Sequence, residues 1–565
     1  MKKTIIPIVV AVVLIIIIGG VSIGVRLFEK YSYSRERADL NEYFAISSQE
    51  DVAIILGNEM IEERARLIDG IYYLELPFVH QYFNDRFYED KKENLLLYAL
   101  PDDVVRCEIS SSIRNTKNGS EDMGYVIARY EGDTLLLAVD YLKQYANFSC
   151  EAFTQPNRLQ IDVTWDEIQV GEIAKDTQVR ILGGVKSEIL ADVARGERVT
   201  VLEQMENWSK VKTADSVIGY VENKRLTDVR AQRPVPVTDY VEPVYTALTR
   251  DYKINLGWHV VAGPAGNDTL ESVTALTKGL NVISPTWFKL SDNQGGFTSF
   301  ASSDYVSKAH GMGLEVWALI ENIEYKDSID MYAILSSTST RAKLISDLVS
   351  TVEEYGIDGI NVDFEQISVD CGEHFIQFIR ELSIPCREKG IVLSVDNYVP
   401  RGYNDHYDRK EQGLVADYVI IMGYDEHFAG SSEAGSVASI DFVEEGIQKT
   451  VDQVPAKKVI NAVPFYTRIW ETTGSSISSQ AVGMEMAQEY VSAHGIVTEW
   501  NEAVCQNYGE YTSGDTLFQV WLEDEDSIRV KLNIMEKYGI GGVASWRLGF
   551  EKPEIWDVIG EYLNQ

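Results

Sequence analysis

Residues 358–365 read Asp358-Gly359-Ile360-Asn361-Val362-Asp363-Phe364-Glu365, and the fold of the chain is read outward from them. Side chains alternate across a β-strand, so Asn361, Asp363 and Glu365 share one face while Ile360, Val362 and Phe364 share the other. Three polar groups on one side of such a strand are costly unless they bond one another or a ligand. That crowding favours a neutral, protonated Glu365, the state a general acid needs. A solvated acidic edge strand is the competing reading, and the apolar opposite face, which marks a central strand, weighs against it.

Similar apolar, β-branched segments lie on both sides. KINLGWHVV, LNVISPTWF and GLEVWALIE precede it, and IVLSVDNYV, ADYVIIMGYDE, KKVINAVPFY and GIGGVASWRLG follow. Between them run helix-compatible stretches such as AKLISDLVSTVEEYG and CGEHFIQFIRELSIPCREKG. Strands alternating with helices imply parallel strands covered by helices. Eight such units in residues 251–565 predict an α/β domain, a (β/α)8 TIM barrel, with 358–365 as its fourth strand. The polar face then points into the barrel, and Glu365 falls at the C-terminal rim, where barrel active sites are built. An open doubly wound sheet is the alternative, but no GxGxxG turn follows the first strand. TLFQVWLEDEDSIRVKLNIMEKYG, between strands seven and eight, reads as an extra strand followed by a helix and is expected to wall one side of a cleft.

The remainder of the 565 residues divides by composition. Thr4 to Val25 is an uncharged apolar run behind Met1-Lys2-Lys3, long enough for one membrane crossing. It exceeds a typical signal h-region and no A-x-A-like site follows, so residues 1–30 read as an uncleaved transmembrane signal-anchor, with a cleaved signal peptide as the alternative. Lys2 and Lys3 favour a cytoplasmic N-terminus, whereas Arg26, Lys30, Arg35 and Arg37 oppose it. The bulk of the chain is placed outside the cell because of the chemistry inferred below. Residues 31–168 read as a β-rich or α+β positioning domain, helix-compatible up to about residue 70 and strand-like beyond it. Residues 170–228 hold short strands such as VRILGG, ERVTVLEQ, WSKVKT and IGYVE between tight turns, which predicts a small closed β-barrel. Residues 229–250, with three prolines between 234 and 243, read as a semi-extended linker.

A formal net charge of −36 argues against a nucleic-acid partner, since phosphate binding needs a cationic face. The five cysteines form no CxxC pair. No metal or organic cofactor is expected, and only Cys107 and Cys150 are considered as a possible disulfide.

DGINVDFE resembles the D-G-x-D-x-D-x-E signature of glycoside hydrolase family 18, the chitinase family, and most of all its branch of spore-cortex and cell-wall N-acetylglucosaminidases. The resemblance covers residues 253 to 560. It includes Met422-Gly423-Tyr424-Asp425 at the end of strand six, the Trp287 strand, and Gly541–Trp546 at strand eight. It implies a retaining, substrate-assisted hydrolysis with Glu365, Asp363 and Tyr424 as catalytic residues. Asn361, Asp358, Met422, Asp425, Trp546 and Trp287 are the implied substrate-binding residues, Trp546 forming an apolar floor under the sugar. Trp258, Trp317 and Trp470 read as packing residues. Asn361 stands where most chitinases have Asp, so a carboxylate pair beneath the acid is expected to be absent. Residues 170–228 resemble bacterial SH3-type domains through Trp208–Val211 and Gly219–Val221, which implies contact with cell-wall peptide. The substrate implied is a polysaccharide, peptidoglycan or a chitin-like glycan. A sugar-binding scaffold without activity is the non-enzymatic alternative.

Overall fold

The computed structural model describes residues 2–238 and 240–564, with side chains from residue 6 onward. They form two compact units, one of Met1–Phe87, Cys107–Arg114 and Ser120–Glu242, the other of Tyr88–Arg106, Asn115–Gly119 and Pro243–Gln565.

The first unit opens with the helix Lys2–Tyr31, of which Ile6–Tyr31 is long and apolar enough to cross a membrane. The segment after it departs from the helical expectation. Asp51–Leu56 and Glu59–Ile68 are antiparallel strands in a seven-stranded sheet, and Asp51–Leu56 also pairs in parallel with Arg158–Asp162. The charges of EMIEERARLI suit a helix locally, but buried Val52–Ile55 impose the sheet on their neighbours through pairing, a tertiary override of weak propensity.

A second seven-stranded sheet runs from Ile168–Ile173 to Leu226–Gln232 around a core of Ile173, Val179, Val193, Val199, Val201, Val211 and Val221. Its last strand reaches into the segment read as linker. Cys107 and Cys150 are both free, the Cys107 thiol lying 3.4 Å from the Tyr141 hydroxyl.

In the second unit the eight expected strands are present. They are β1 (Ile254–His259), β2 (Val282–Pro285), β3 (Glu315–Glu321), β4 (Gly359–Asp363), β5 (Val392–Tyr398), β6 (Tyr418–Met422), β7 (Val459–Pro464) and β8 (Gly542–Trp546). Every neighbouring pair is parallel, and β8 pairs back onto β1, which closes the barrel. Alternate residues fill its interior, including Ile254, Leu256, Trp258, Trp317, Leu319, Val392, Tyr418, Ile420 and Ala544. The opposite faces of the strands pack on the surrounding helices. Trp258, Trp317 and Trp470 are fully buried packing residues.

The helix Thr338–Tyr355 leads into β4. Its first turn donates Thr338 N–H to Asp90 at 2.7 Å and Ser339 N–H to Glu93 at 2.8 Å, which satisfies amides a helix start leaves unpaired. It ends at Gly356 with φ 70°, a left-handed cap that glycine adopts without strain. Between β7 and β8 the chain inserts a five-stranded antiparallel sheet with strands from Tyr466–Thr473 to Thr516–Leu522, then the helix Glu525–Tyr538. The sequence pointed to the last strand and the helix; the other four strands went unrecognised.

Candidate active site

The alternation in β4 places its polar groups as expected. Asn361 is fully buried, Asp363 ends the strand, and Glu365 stands two residues further on, half-buried. Glu365 is held at three points. Asn322, just past β3, donates its side-chain amide to the Glu365 carbonyl at 2.8 Å and accepts the Glu365 N–H at 2.9 Å. From the end of β5, the Tyr398 hydroxyl donates to Glu365 Oε2 at 2.7 Å. Burial is the main force pushing the Glu365 carboxyl above the usual range, with Asp425 and Glu321 adding to it and the Tyr398 bond opposing it. A carboxyl whose burial favours the protonated form at a rim is equipped to give its proton to a substrate.

Beneath it lies a buried polar layer. Asn361 accepts from Trp258 Nε1 at 2.9 Å and Ser284 Oγ at 3.2 Å, and it donates to Ser394 Oγ at 3.1 Å and Asp396 Oδ1 at 2.8 Å. Its amide capacity is thereby filled. Asn361 is a support under the site, which corrects its assignment as a substrate contact. The expected absence of a second carboxylate is corrected as well, because Asp396 of β5 supplies one. Burial foremost, and then the charges of Asp396, Glu365 and Glu321, drive Asp363 well above the usual carboxylate range. Burial likewise raises Asp396. Asp363 Oδ1 is buried without a hydrogen-bond partner among the described residues, an arrangement that calls for a donor from a ligand.

Tyr424 follows β6, its phenol raised well above its ordinary range by burial and, after Tyr466, by the charges of Asp363 and Asp396. Gly423 lets the chain turn there; a Cβ would meet Asn461 Oδ1 at 2.7 Å and the Ala462 carbonyl at 2.8 Å. Asp425 adopts φ 59° and accepts from the Tyr466 hydroxyl. Met422 closes β6, facing inward in register with Tyr398 and Ala462. Trp546 closes β8 half-buried, with its ring 5.7 Å from that of Trp258.

Two assignments are overturned. Trp287 is fully buried; its Nε1 donates to Asn267 at 2.8 Å and its ring abuts Tyr305 at 4.9 Å, so it packs between barrel and helix. Asp358 precedes β4 at the end opposite the site, accepting from Val316 N–H at 2.8 Å and lying 2.8 Å from His310 Nε2. The chain direction of a parallel strand keeps it there. The reading of the residues had missed Asn322, Asp396, Tyr398 and Tyr466. For β5 a signal was present, since Ser394, Asp396 and Tyr398 alternate inward as the β4 residues do.

A closed parallel barrel with a burial-raised carboxyl just past β4 and a half-buried tryptophan at the end of β8 defines the class as a (β/α)8 barrel with a candidate site at its C-terminal rim. Residues 280–551 match the family Glycosyl hydrolases family 18, and residues 175–227 match Bacterial SH3 domain. The barrel is thus a family 18 glycosyl hydrolase domain.

Among relatives, the Bacillus subtilis protein YdhD is 31% identical over 230 residues, 39% of this chain and 53% of its own. The cortical fragment-lytic enzyme of Bacillus anthracis is 26% identical over 255 residues, 43% of this chain and 59% of its own. The chain therefore spans little more than half the length of these curated relatives. The solved structure of the spore cortex-lytic enzyme SleL of Bacillus cereus superposes with a TM-score of 0.50 at 22% identity, over 60% of this chain and 78% of that one. At that identity the likeness speaks for the fold.

Proposed function

We propose that this chain is a membrane-anchored, outward-facing glycosidase that cleaves β-1,4 bonds next to N-acetylglucosamine in cell-wall peptidoglycan. The observation that carries the reading is the pairing of a burial-raised Glu365 with Asp363, whose buried Oδ1 has no partner among the described residues. In a substrate-assisted route, one of the exceptions to the two-carboxylate rule, Glu365 gives its proton to the glycosidic oxygen as the bond to the anomeric carbon breaks. The carbonyl oxygen of the substrate's own N-acetyl group bonds that carbon from the opposite face and forms an oxazolinium ion. Asp363 Oδ1 accepts the acetamide N–H and so orients the group, while the Tyr424 hydroxyl donates to the acetamide oxygen. Glu365, now a carboxylate, takes a proton from water; the water oxygen bonds the anomeric carbon, the oxazolinium ring opens, and configuration is retained. Trp546 lies under the sugar, and Asp425 and Met422 border it.

The wall as setting is supported by relatives named for cortical fragments and by the apolar helix. The test incubates the full chain in detergent with purified peptidoglycan and, separately, with chitin oligosaccharides, alongside Glu365→Gln, with products read by mass spectrometry. Fragments ending in reducing N-acetylglucosamine, released from peptidoglycan and lost in the variant, are expected. Cleavage of chitin alone would move the substrate, and binding without cleavage of either would point to a scaffold.

A further inference from the structure

A segment of the chain itself lies along the edge of the SH3 domain's sheet. Its sheet begins with the edge strand Ile189–Val193, and an edge offers unpaired N–H and C=O groups to any extended chain. Residues just past the apolar helix take that place. Ser34 N–H donates to the Val185 carbonyl at 2.7 Å, Ile189 N–H to the Glu36 carbonyl at 2.9 Å and Ala38 N–H to the Ile189 carbonyl at 3.0 Å, with Arg37 bridged to Ile189 in parallel.

Side chains read the added segment. The Tyr33 hydroxyl donates to Glu222, 2.8 and 2.9 Å from its two oxygens, and accepts from Lys224 Nζ at 2.9 Å. The Arg180 guanidinium stands 5.6 Å over the Tyr33 ring and donates to the Ser34 carbonyl at 3.1 Å. Arg37 pairs with Asp192. Beyond it, Ala38, Leu40 and Phe44 pack against Leu190, Val217 and Ile218.

Strand addition with side-chain contacts that select the added segment is a recurring way to bind peptides. Here the ligand is tethered, because the helix ends at Tyr31 and its last bond runs from Ser32 N–H to the Phe28 carbonyl. A short tether holds the segment at an effective concentration of about millimolar or more. We propose that Ser32–Ala38 is the resident ligand of a tyrosine-reading peptide site on this domain, which grips the foot of the apolar helix and is closed to other peptides in cis.

The test uses the full chain in detergent micelles and a fluorescein-labelled peptide of residues 31–40. In Tyr33→Ala/Ser34→Pro the hydroxyl bridge and one strand N–H are removed at positions outside the core. The labelled peptide should bind this variant at least about ten-fold more tightly than the unaltered chain, because the site is vacated. Trypsin should cut after Arg35 at least about ten-fold faster in the variant, because the strand no longer protects it. A variant carrying Glu222→Gln in addition should lose the gain in peptide binding. Equal peptide affinity in the variant and the unaltered chain, or equal cleavage after Arg35, overturns the proposal.

Discussion

The hydroxyl of Tyr398 points at Glu365 and donates to its Oε2 at 2.7 Å, across two adjacent strands of the barrel. This bond favours the charged carboxylate and so opposes the burial that raises the Glu365 carboxyl. In Tyr398→Phe the opposing bond is gone and the Glu365 carboxyl moves further up. The alkaline limb of the kcat profile, where a general acid loses its proton, should therefore move to higher pH. At the optimum kcat should fall by about ten-fold or less, since one hydrogen bond is lost while the acid remains. A pH–rate series on both proteins decides it, and a limb that stays or moves down would detach Tyr398 from the acid.

Asp396 and Asp363 form a second prediction. Each is buried and raised, so each binds its proton more readily folded than unfolded. Their contribution to stability is whole below the ordinary carboxylate range and is lost as pH rises through the raised native values. Near neutrality the pair costs stability. Asp396→Asn should raise the melting temperature at pH 7 by roughly 2–4 °C and leave it unchanged near pH 3.5, where Asp396 is neutral already. It should also lower the proton affinity of Asp363 and carry the acidic limb of kcat/KM to lower pH. Calorimetry at the two pH values and a rate profile test both halves.

The parity of one strand made much of this site legible. DGINVDFE placed Asp363 and Glu365 inward, and the strand–helix rhythm placed them in a barrel with the rim at their end. The same parity held for Ser394, Asp396 and Tyr398, but IVLSVDNYV carries no acidic run to draw the eye. Trp287 misled because tryptophans serve cores and sugars alike; with Ser284 bonded inward to Asn361, the odd step to Trp287 turns it outward onto Tyr305. The hold of Asn322 on Glu365 joins two loops 43 residues apart, and no local pattern encodes it.

Asp358 illustrates how a motif residue can serve the fold alone. Its Oδ2 accepts the Val316 N–H at 2.8 Å and meets His310 at the end of β4 remote from Glu365. Asp358→Ala leaves that amide unpaired and should cost about 1–3 kcal/mol in unfolding free energy. The kcat/KM of the folded fraction should stay within about two-fold of the unaltered protein, since no group at the rim moves. Denaturant titration paired with kinetics separates the two effects; a large loss of kcat/KM at full folding would return Asp358 to the site.

Asn322 gives the converse case, a residue outside the motif on which the proposed reaction should depend. Its amide both donates to the Glu365 carbonyl and accepts the Glu365 N–H, so it fixes the backbone from which the acid reaches the bond. Gln366, next to Glu365, holds φ 55°, and the next two amides donate to the Tyr398 and Tyr407 hydroxyls at 3.3 and 3.2 Å. Removing the amide should let the acid drift, and misplacement of about 1 Å can cost about 10²-fold in rate. Asn322→Ala should thus lower kcat by about 10–10²-fold with little change in KM. The pH limbs should stay in place, because the contacts that set the Glu365 proton affinity are intact. Asn322→Asp should not restore the rate, because a carboxylate cannot donate to the Glu365 carbonyl. A merely structural Asn322 would lower the melting temperature and leave kcat per folded molecule unchanged, so steady-state kinetics beside thermal unfolding distinguishes the roles.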